Sequence, residues 1–528
     1  MNILVIRMHR FGDILQLTPM LQGLKKKYSD CNITFFTSSE MYDLLADNPD
    51  VDEVISIPEK KYRYYLKNKP EYYARIYNEM YDLVSDLKGR RFQMIINRHY
   101  EFGGILAHLT GAEQILGQSF SPERCTFLND PISAQLYDTI LKTRKTNRRN
   151  LVDWACQIAG LSPGSGKMHF SVPEIDLFMA ERLLSEHGAN NEPLIAVQMG
   201  AAKSFRQWGA DNYIHIIKWL IKSKGKKVVL LGTEDEKGEA DNIRLRLGKS
   251  NKYMIDLIGK TDFKTLGGIL KKCRKLITGD TGTMHMSASV GTPVIALFYG
   301  TAFPWETGPY GTGHLVLYAD EKCAPCFYPE DCISGHSCRN SITPEHVSKA
   351  FNISEALTRA KITDVDFFSE KVKLYLTYAR PGSDQTMIPV NEISNIQGIP
   401  NFPDHPERGD FKGAGISGST DYIYRKGNHL LQKLHRGDSE GFMDLFPEYI
   451  GQWIKIISYI KEKYTDENIS EALVQCLTPA INEATRAMQA RDYTTLSDLI
   501  QYDFKHAIDI LTGASSHTAY ECERRILQ

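Results

Sequence analysis

Residues 2–38, NILVIRMHRFGDILQLTPMLQGLKKKYSDCNITFFTS, decide the fold. NILVIR is a short apolar run of strand length. A polar turn, RMHRFGD, follows it, then the amphipathic stretch ILQLTPMLQGLKKKY, then a second apolar run, NITFFTS. Strand, helix and strand in that order form the βαβ unit of a parallel sheet. The alternation continues outward through EMYDLLADN and EVISI, is interrupted by the Tyr- and Lys-rich text from Glu59 to Asp82, and resumes at FQMIIN. That interruption predicts an exposed helical excursion. Its Tyr-Lys interleaving also suits stacking on a nucleic acid, but less well than a solvated amphipathic helix.

A second α/β series starts near Pro193 with LIAVQMG, KVVLLGT, YMIDLIG, KLITGD and PVIALFYG. The βα rhythm stops after about Ala360, residues 392–420 carry Pro, Gly and Asn at loop density, and the pattern from Leu430 onward is helical. The expected architecture is α/β, with two Rossmann-like doubly wound domains at residues 1–175 and 176–360 and a mainly helical appended region at 361–528.

Composition agrees with several folded domains. The chain has 528 residues, of which 42% are hydrophobic and 24% charged, so sizeable cores are affordable and disorder is excluded. Lys+Arg 63 against Asp+Glu 64 leaves a net charge of -1, which argues against a polyanion such as nucleic acid as partner. No apolar stretch approaches the ~18 residues of a spanning helix. MNILVIRMHR reads as a first strand rather than a secretory signal, so a reducing cytoplasm is the expected compartment.

At the carboxyl end of the first strand, the turn holds Arg7, His9, Arg10, Gly12 and Asp13. A dinucleotide fingerprint needs three glycines here and only Gly12 is present, so a nicotinamide or flavin cofactor is disfavoured. Asp13 suits either a helix N-cap or a catalytic base. Arg7, His9 and Arg10 suit an anionic acceptor or a solvated loop. In the second series, LITGDTGTMHMSASVG ends a buried strand at Gly279 and opens a helix at Asp280, Thr281 and Gly282, with His285 one turn in. Such a helix start favours a diphosphate. Lys203, Ser204 and Arg206 follow LIAVQMG, and Glu234, Asp235 and Glu236 follow KVVLLGT, so phosphate and ribose contacts would lie on one rim.

Cys323, Cys326, Cys332 and Cys338 give C-x2-C-x5-C-x5-C with His336 inside it. This spacing admits a structural zinc or iron ion as well as reduced or disulfide-bonded cysteines. Asp50-Val51-Asp52 forms a D-x-D, the mark of a metal-dependent GT-A enzyme, but it precedes EVISI in what reads as a loop.

Taken in order, ILVIRMHRFGDILQLTPM, ADNPDVDEVI, AAKSFRQWGADNY, VVLLGTEDE, GKTDFKTLGGILKKCRKLITGDTGTMHMSASVGTPVIALFYG and the CAPC segment through SITPEHV resemble the heptosyltransferases, glycosyltransferase family 9, over about residues 1–355. The resemblance implies a GT-B fold and inverting transfer of a sugar, commonly from ADP-heptose, without a catalytic metal or other catalytic cofactor. It implies Asp13 as the general base. Arg206 would meet donor phosphate and Glu236 the ribose. Gly259, Lys260 and Thr261 would lie near the adenine, Asp280 at the transferred sugar, and Thr281, Gly282 and His285 around the diphosphate. Ala202 stands where the family has a small hydroxyl residue, with Ser204 as a substitute, and His9 and Arg10 stand where hydroxyl residues are usual. The acceptor implied is a glycan, lipid-linked glycan or protein hydroxyl, reached from the cytoplasm, including its inner-membrane face. The appended region would recruit the acceptor or a protein partner. The opposing reading is a sugar-nucleotide-binding scaffold that has lost catalysis.

Overall fold

The computed structural model describes residues 1–99, 102–123, 125–189, 192–200, 204–327, 329–330, 332, 335–358, 372–379, 382–390, 423, 426–431, 433–434, 439–463, 467–505 and 507–508. The chain divides into two compact units. One comprises Met1–Ser171 and Leu183–Glu407, and the other Val172–Arg182 and Arg408–Gln528.

The first unit contains two sheets. In the first, strands β1 (Asn2–Ile6), β2 (Asn32–Ser38), β3 (Glu53–Ile57), β4 (Met94–Asn97), β5 (Gln114–Ser121) and β6 (Cys125–Leu128) lie in the order β3-β2-β1-β4-β5-β6. All neighbours are parallel except β5 and β6. Order reverses beside β1, between β2 and β4, which opens the crevice where such sheets take ligands. β1 is buried between its neighbours, with Ile3, Leu4, Val5 and Ile6 fully enclosed, as expected of a central parallel strand with helices on both faces.

The second sheet holds β7 (Leu194–Gln198), β8 (Lys227–Leu231), β9 (Met254–Asp256), β10 (Cys273–Gly279), β11 (Val294–Phe298), β12 (Leu315–Ala319), β13 (Val372–Tyr378) and β14 (Thr386–Pro389). Their order is β14-β13-β12-β11-β10-β7-β8-β9. β7 through β12 are parallel, and β10 lies beside the switch point between β11 and β7.

β13 and β14 correct the expected boundary at 361. VKLYLTY alternates, turning Leu374 and Leu376 into the core, and pairs antiparallel with β12. A period of two with β-branched and aromatic residues is strand text, so the second sheet runs past the helical boundary assigned to it.

The 59–82 excursion forms the helices Glu59–Asn68 and Tyr73–Gly89. Asp52 of the D-x-D pairs with Lys25 at 2.5 Å and accepts the Ile33 N–H at 2.6 Å. That carboxylate ties β2 to β3.

The second unit is helical among its described residues, with long helices Ser439–Lys463 and Glu467–Ala490. Its core stacks aromatic rings: Phe442 on Phe446, and Trp453 on Phe504. Residues 172–182 join it, with Tyr459 donating to Glu174 at 2.7 Å and Phe178 edge-on to Tyr459.

Candidate functional site

β1 delivers the chain into a turn whose last residue, Arg10, has φ 64, a left-handed conformation that only a few per cent of non-glycine residues adopt. Helix α1 (Phe11–Leu15) starts there, three residues before the Ile14 that the sequence predicts, and Arg10 is its N-cap. Asp13 is therefore inside the helix and the cap reading is overturned. Its carboxylate is clamped by the Arg7 guanidinium, which also donates to the Arg98 carbonyl. Arg7 is thus a holder of Asp13, and its Nε is buried without a partner among the described residues. Arg10 itself is exposed.

His9 and two residues missed in the sequence complete this side. His9 Nε2 is 2.6 Å from Glu59 Oε2, and its ring meets His99 edge-on at 5.2 Å. Burial, with Arg7 and His9 close by, pushes the His99 imidazole down to about 4, so it is neutral at pH 7. Glu59 stands in Tyr- and Lys-rich text and His99 follows an unremarkable strand. Neither carries a local signal.

The other lobe presents the helix Gly282–Ser289 after β10. Its tip meets α1 directly. A Cβ on Gly12 would come within 2.8 Å of His285 Cδ2 and 3.1 Å of Gly282 Cα, and a Cβ on Gly282 would strike the Phe11 ring. Only glycine fits either place. Phe11 also packs on Phe263 with centroids 5.1 Å apart. The lobes are further joined by Lys264, whose Nζ lies 2.5 Å from Asp47 Oδ2 and is almost wholly buried.

Asp280 lies just before this tip, and burial pushes its carboxyl up to about 6. The Arg206 guanidinium, the Thr307 hydroxyl and Arg144 oppose that rise, whereas Asp13 adds to it. A carboxylate from each lobe therefore feels the other across the crevice. Arg206 Nη1 is 3.7 Å from Asp280 Oδ2, and its Nε donates to Thr301 Oγ1 at 2.9 Å. Arg144, unpredicted, grips Glu306 through two bonds of 3.0 and 2.9 Å and reaches the Thr301 carbonyl.

Two roles at the tip change. The Thr281 hydroxyl donates to Gln198 Oε1 at 2.8 Å. Its single proton is committed, leaving backbone N–H groups as the donors for a diphosphate. His285 is buried against Gly12 rather than turned along the rim. Burial lowers it to about 4, partly offset by Asp13, and its Nδ1 has no partner among the described residues. It is a neutral wall between the lobes.

On the rim, Glu236 closes a capping box with Thr233 and lies under Gly200 and Gly232, where a Cβ at either glycine would collide with its carboxylate. Gly259 has φ 69 and leaves room for the Glu234 carboxylate. Lys260 Nζ rests 3.1 Å from both the Asp256 carbonyl and His187 Nε2, and Thr261 follows it, half-buried. Lys203 lies outside the described residues. Ser204 opens the short turn Ser204–Arg206, but its side chain is likewise outside them.

The cysteine segment abuts this rim. Cys326 N–H donates to the Gly300 carbonyl at 2.8 Å, and the His336 ring stacks on Phe205 beside Arg206. Cys338 is buried, and its thiol is raised by burial and by Cys323 and Cys332 nearby. No disulfide joins the four cysteines, and among the described residues no group of three or more His, Cys, Asp or Glu is arranged to hold a metal ion.

Residues 135–335 match the model of glycosyltransferase family 9 (heptosyltransferase). The chain is 27% identical over 367 residues to lipooligosaccharide heptosyltransferase 2 of Haemophilus ducreyi, covering 67% of this chain and 99% of that one. It is 23% identical over 303 residues to lipopolysaccharide heptosyltransferase 3 of Escherichia coli, covering 56% and 84%. A solved glycosyltransferase family 9 structure from Veillonella parvula aligns with TM-score 0.53 at 23% identity, over 67% of this chain and 96% of that chain. The two-lobed arrangement is the GT-B fold.

Proposed function

We propose, from the match of residues 135–335 to the glycosyltransferase family 9 model, that the chain is an inverting heptosyltransferase, moving a heptose from an ADP-linked donor to a hydroxyl of a lipopolysaccharide-core or protein acceptor. One observation carries the reading: the α1 turn that holds Asp13 packs against the Gly282–Ser289 helix tip, and Asp13 is near enough to Asp280 to raise its carboxyl. In-line displacement needs a base on one side of the anomeric carbon and positive potential at the departing diphosphate on the other.

Asp13 takes the proton of the acceptor hydroxyl while Arg7 holds its carboxylate in place. The hydroxyl oxygen bonds to the anomeric carbon, the bond to the diphosphate breaks, and ADP leaves with the electron pair. The N–H groups at Gly282 and Thr283, with Arg206, receive the charge that develops on the phosphate. Asp280, with its raised carboxyl, would hydrogen-bond the transferred sugar. Glu236 is read as the ribose contact, and Gly259, Lys260 and Thr261 as the adenine loop. The relatives named lipopolysaccharide and lipooligosaccharide heptosyltransferases support the acceptor class.

No step of this scheme uses a metal, so transfer should survive chelation. A zinc or iron ion at Cys323, Cys326, Cys332 and Cys338 would be structural and would require the thiols to converge from their present positions. Metal analysis of the purified chain decides that point. The second unit is read as the module that recruits acceptor or protein partner. Among the described residues no helix is long and apolar enough to cross a membrane, and reaching a lipid-linked acceptor would then take peripheral binding at the inner-membrane face.

The test is nucleoside diphosphate release from ADP-heptose and from UDP- and GDP-sugars, with and without chelator, for the native chain and Asp13→Asn. Release from ADP-heptose that Asp13→Asn abolishes supports the reading. Tight ADP-heptose binding with no turnover on any core or protein acceptor would instead support the scaffold.

A further inference from the structure

The helix Glu59–Asn68 buries none of its residues. A helix normally persists in a fold by burying a face, so this one is held by other means. The Tyr65 ring stacks on Tyr72 at 4.3 Å, and Tyr73 donates its hydroxyl to the Leu66 carbonyl at 2.9 Å, pinning the helix to its successor, Tyr73–Gly89. The second helix buries Ile76, Leu83 and Leu87. Beside that face it carries an outward ladder, Tyr73, Tyr77 and Tyr81, at a spacing of four residues and exposed by 46%, 68% and 62%. Tyr64 and Leu66 on the first helix are exposed by 56% and 50%. Ile105 and Leu109 are exposed by 40% and 48% on the helix Phe102–Thr110, which packs against Tyr73–Gly89.

Charge accompanies the rings. Across residues 59–89 the basic Lys60, Lys61, Arg63, Lys67, Lys69, Arg75 and Lys88 stand against the acidic Glu59, Glu71, Glu79, Asp82 and Asp86, with the excess of positive charge on the first helix and the linker after it. Lys60 and Arg63 are 80% and 78% exposed. The long Lys60–Glu40 pair, 3.8 Å apart at the surface, binds weakly. Exposed tyrosines, an exposed leucine and an excess of positive charge match the headgroup layer of an anionic bilayer. A nucleic acid fits less well, because the rings lie along helix faces rather than over a groove that tracks a backbone.

We propose that the Glu59–Asn68 and Tyr73–Gly89 helices form a docking surface for an anionic phospholipid bilayer. Its root is Glu59, the residue bonded to His9 in the Asp13 turn, so docking would bring that turn to the headgroup layer. The surface stands whether or not the transfer reading does, since vesicle binding is measured without donor or acceptor.

The experiment is co-sedimentation of the full chain with vesicles of phosphatidylglycerol and phosphatidylethanolamine, against vesicles of phosphatidylcholine alone, at low and high salt. The native chain is expected to bind the anionic vesicles and to be released by salt. Tyr77→Ser with Tyr81→Ser, and separately Lys60→Glu with Lys67→Glu, should each weaken that binding about tenfold. Melting midpoint and ADP affinity should stay at native values, which shows that the variants are folded. No binding to anionic vesicles, equal binding to phosphatidylcholine, or native-level binding by both folded variants overturns the proposal. So does binding of an RNA oligonucleotide that both variants abolish while vesicles go unbound.

Discussion

Two strand-to-helix turns face each other in this molecule and are built by opposite means. The turn after β1 is made of charge: Arg10 in a left-handed conformation, Arg7 clamping Asp13, His9 on Glu59, with the Asp13 side chain 32% exposed. The turn after β10 is made of smallness. Gly282 admits the Phe11 ring, the Thr281 hydroxyl is committed to Gln198, and Asp280 is enclosed enough that its carboxyl rises to about 6. A base must exchange protons with an incoming hydroxyl, so it stays within reach of solvent. A diphosphate is best held by backbone N–H groups, and these are accessible only where side chains are absent.

The largest test of this contrast is Asp13→Asn. It keeps the shape and removes the base, so kcat should fall about a thousandfold while ADP affinity, measured by calorimetry, stays within about tenfold of native. Next is Gly282→Val, which places a side chain where the Phe11 ring lies. ADP affinity should fall about a hundredfold, as for other losses of a buried charge-assisted contact, and Phe11→Ala should restore part of it. Failure of that rescue would mean that the two tips do not share the space described.

A smaller effect is expected for Arg206→Ala. The guanidinium is 38% exposed and 3.7 Å from Asp280, so its loss should raise the donor KM about tenfold with little change in stability.

The smallest effect concerns the enclosed carboxyl. Asp280 is raised from 3.8 to about 6 by burial, so between those values the folded chain holds a proton that the unfolded chain has released. Stability therefore falls as pH rises through that window, and the cost is complete above about pH 6. Asp280→Asn should melt a few degrees higher than the native chain at pH 8, with the gain vanishing toward pH 4. A constant gain at all pH values would remove Asp280 from this account.

The sequence reveals these turns unequally. Both strands, their order and the places of Asp13, Asp280 and Gly282 follow from apolar runs that stop at Gly and Asp, because parallel sheets write their core as continuous text. The pairing of Arg7 with Asp13 lies only six residues apart, yet it depends on Arg10 adopting a positive φ, which no propensity predicts. His99, Glu59, Gln198, Arg144 and Glu306 reach the site through the topology, from 46 to 208 or more residues away by number, and leave no periodic trace. β13 was concealed differently. VKLYLTY stands just before the loop-dense residues 392–420 and the helical text beyond them, so its alternation is outweighed by its surroundings, although it extends the second sheet.

The central claim is that the Asp13 carboxylate opposes the Gly282 helix tip across the transferred sugar. A crystal structure of the chain with a non-transferable ADP-heptose analogue tests it most directly. The account predicts a β-phosphate about 3 Å from the Gly282 and Thr283 N–H groups, with the anomeric carbon turned toward Asp13. A donor seated elsewhere, or an anomeric carbon facing away from Asp13, would contradict it.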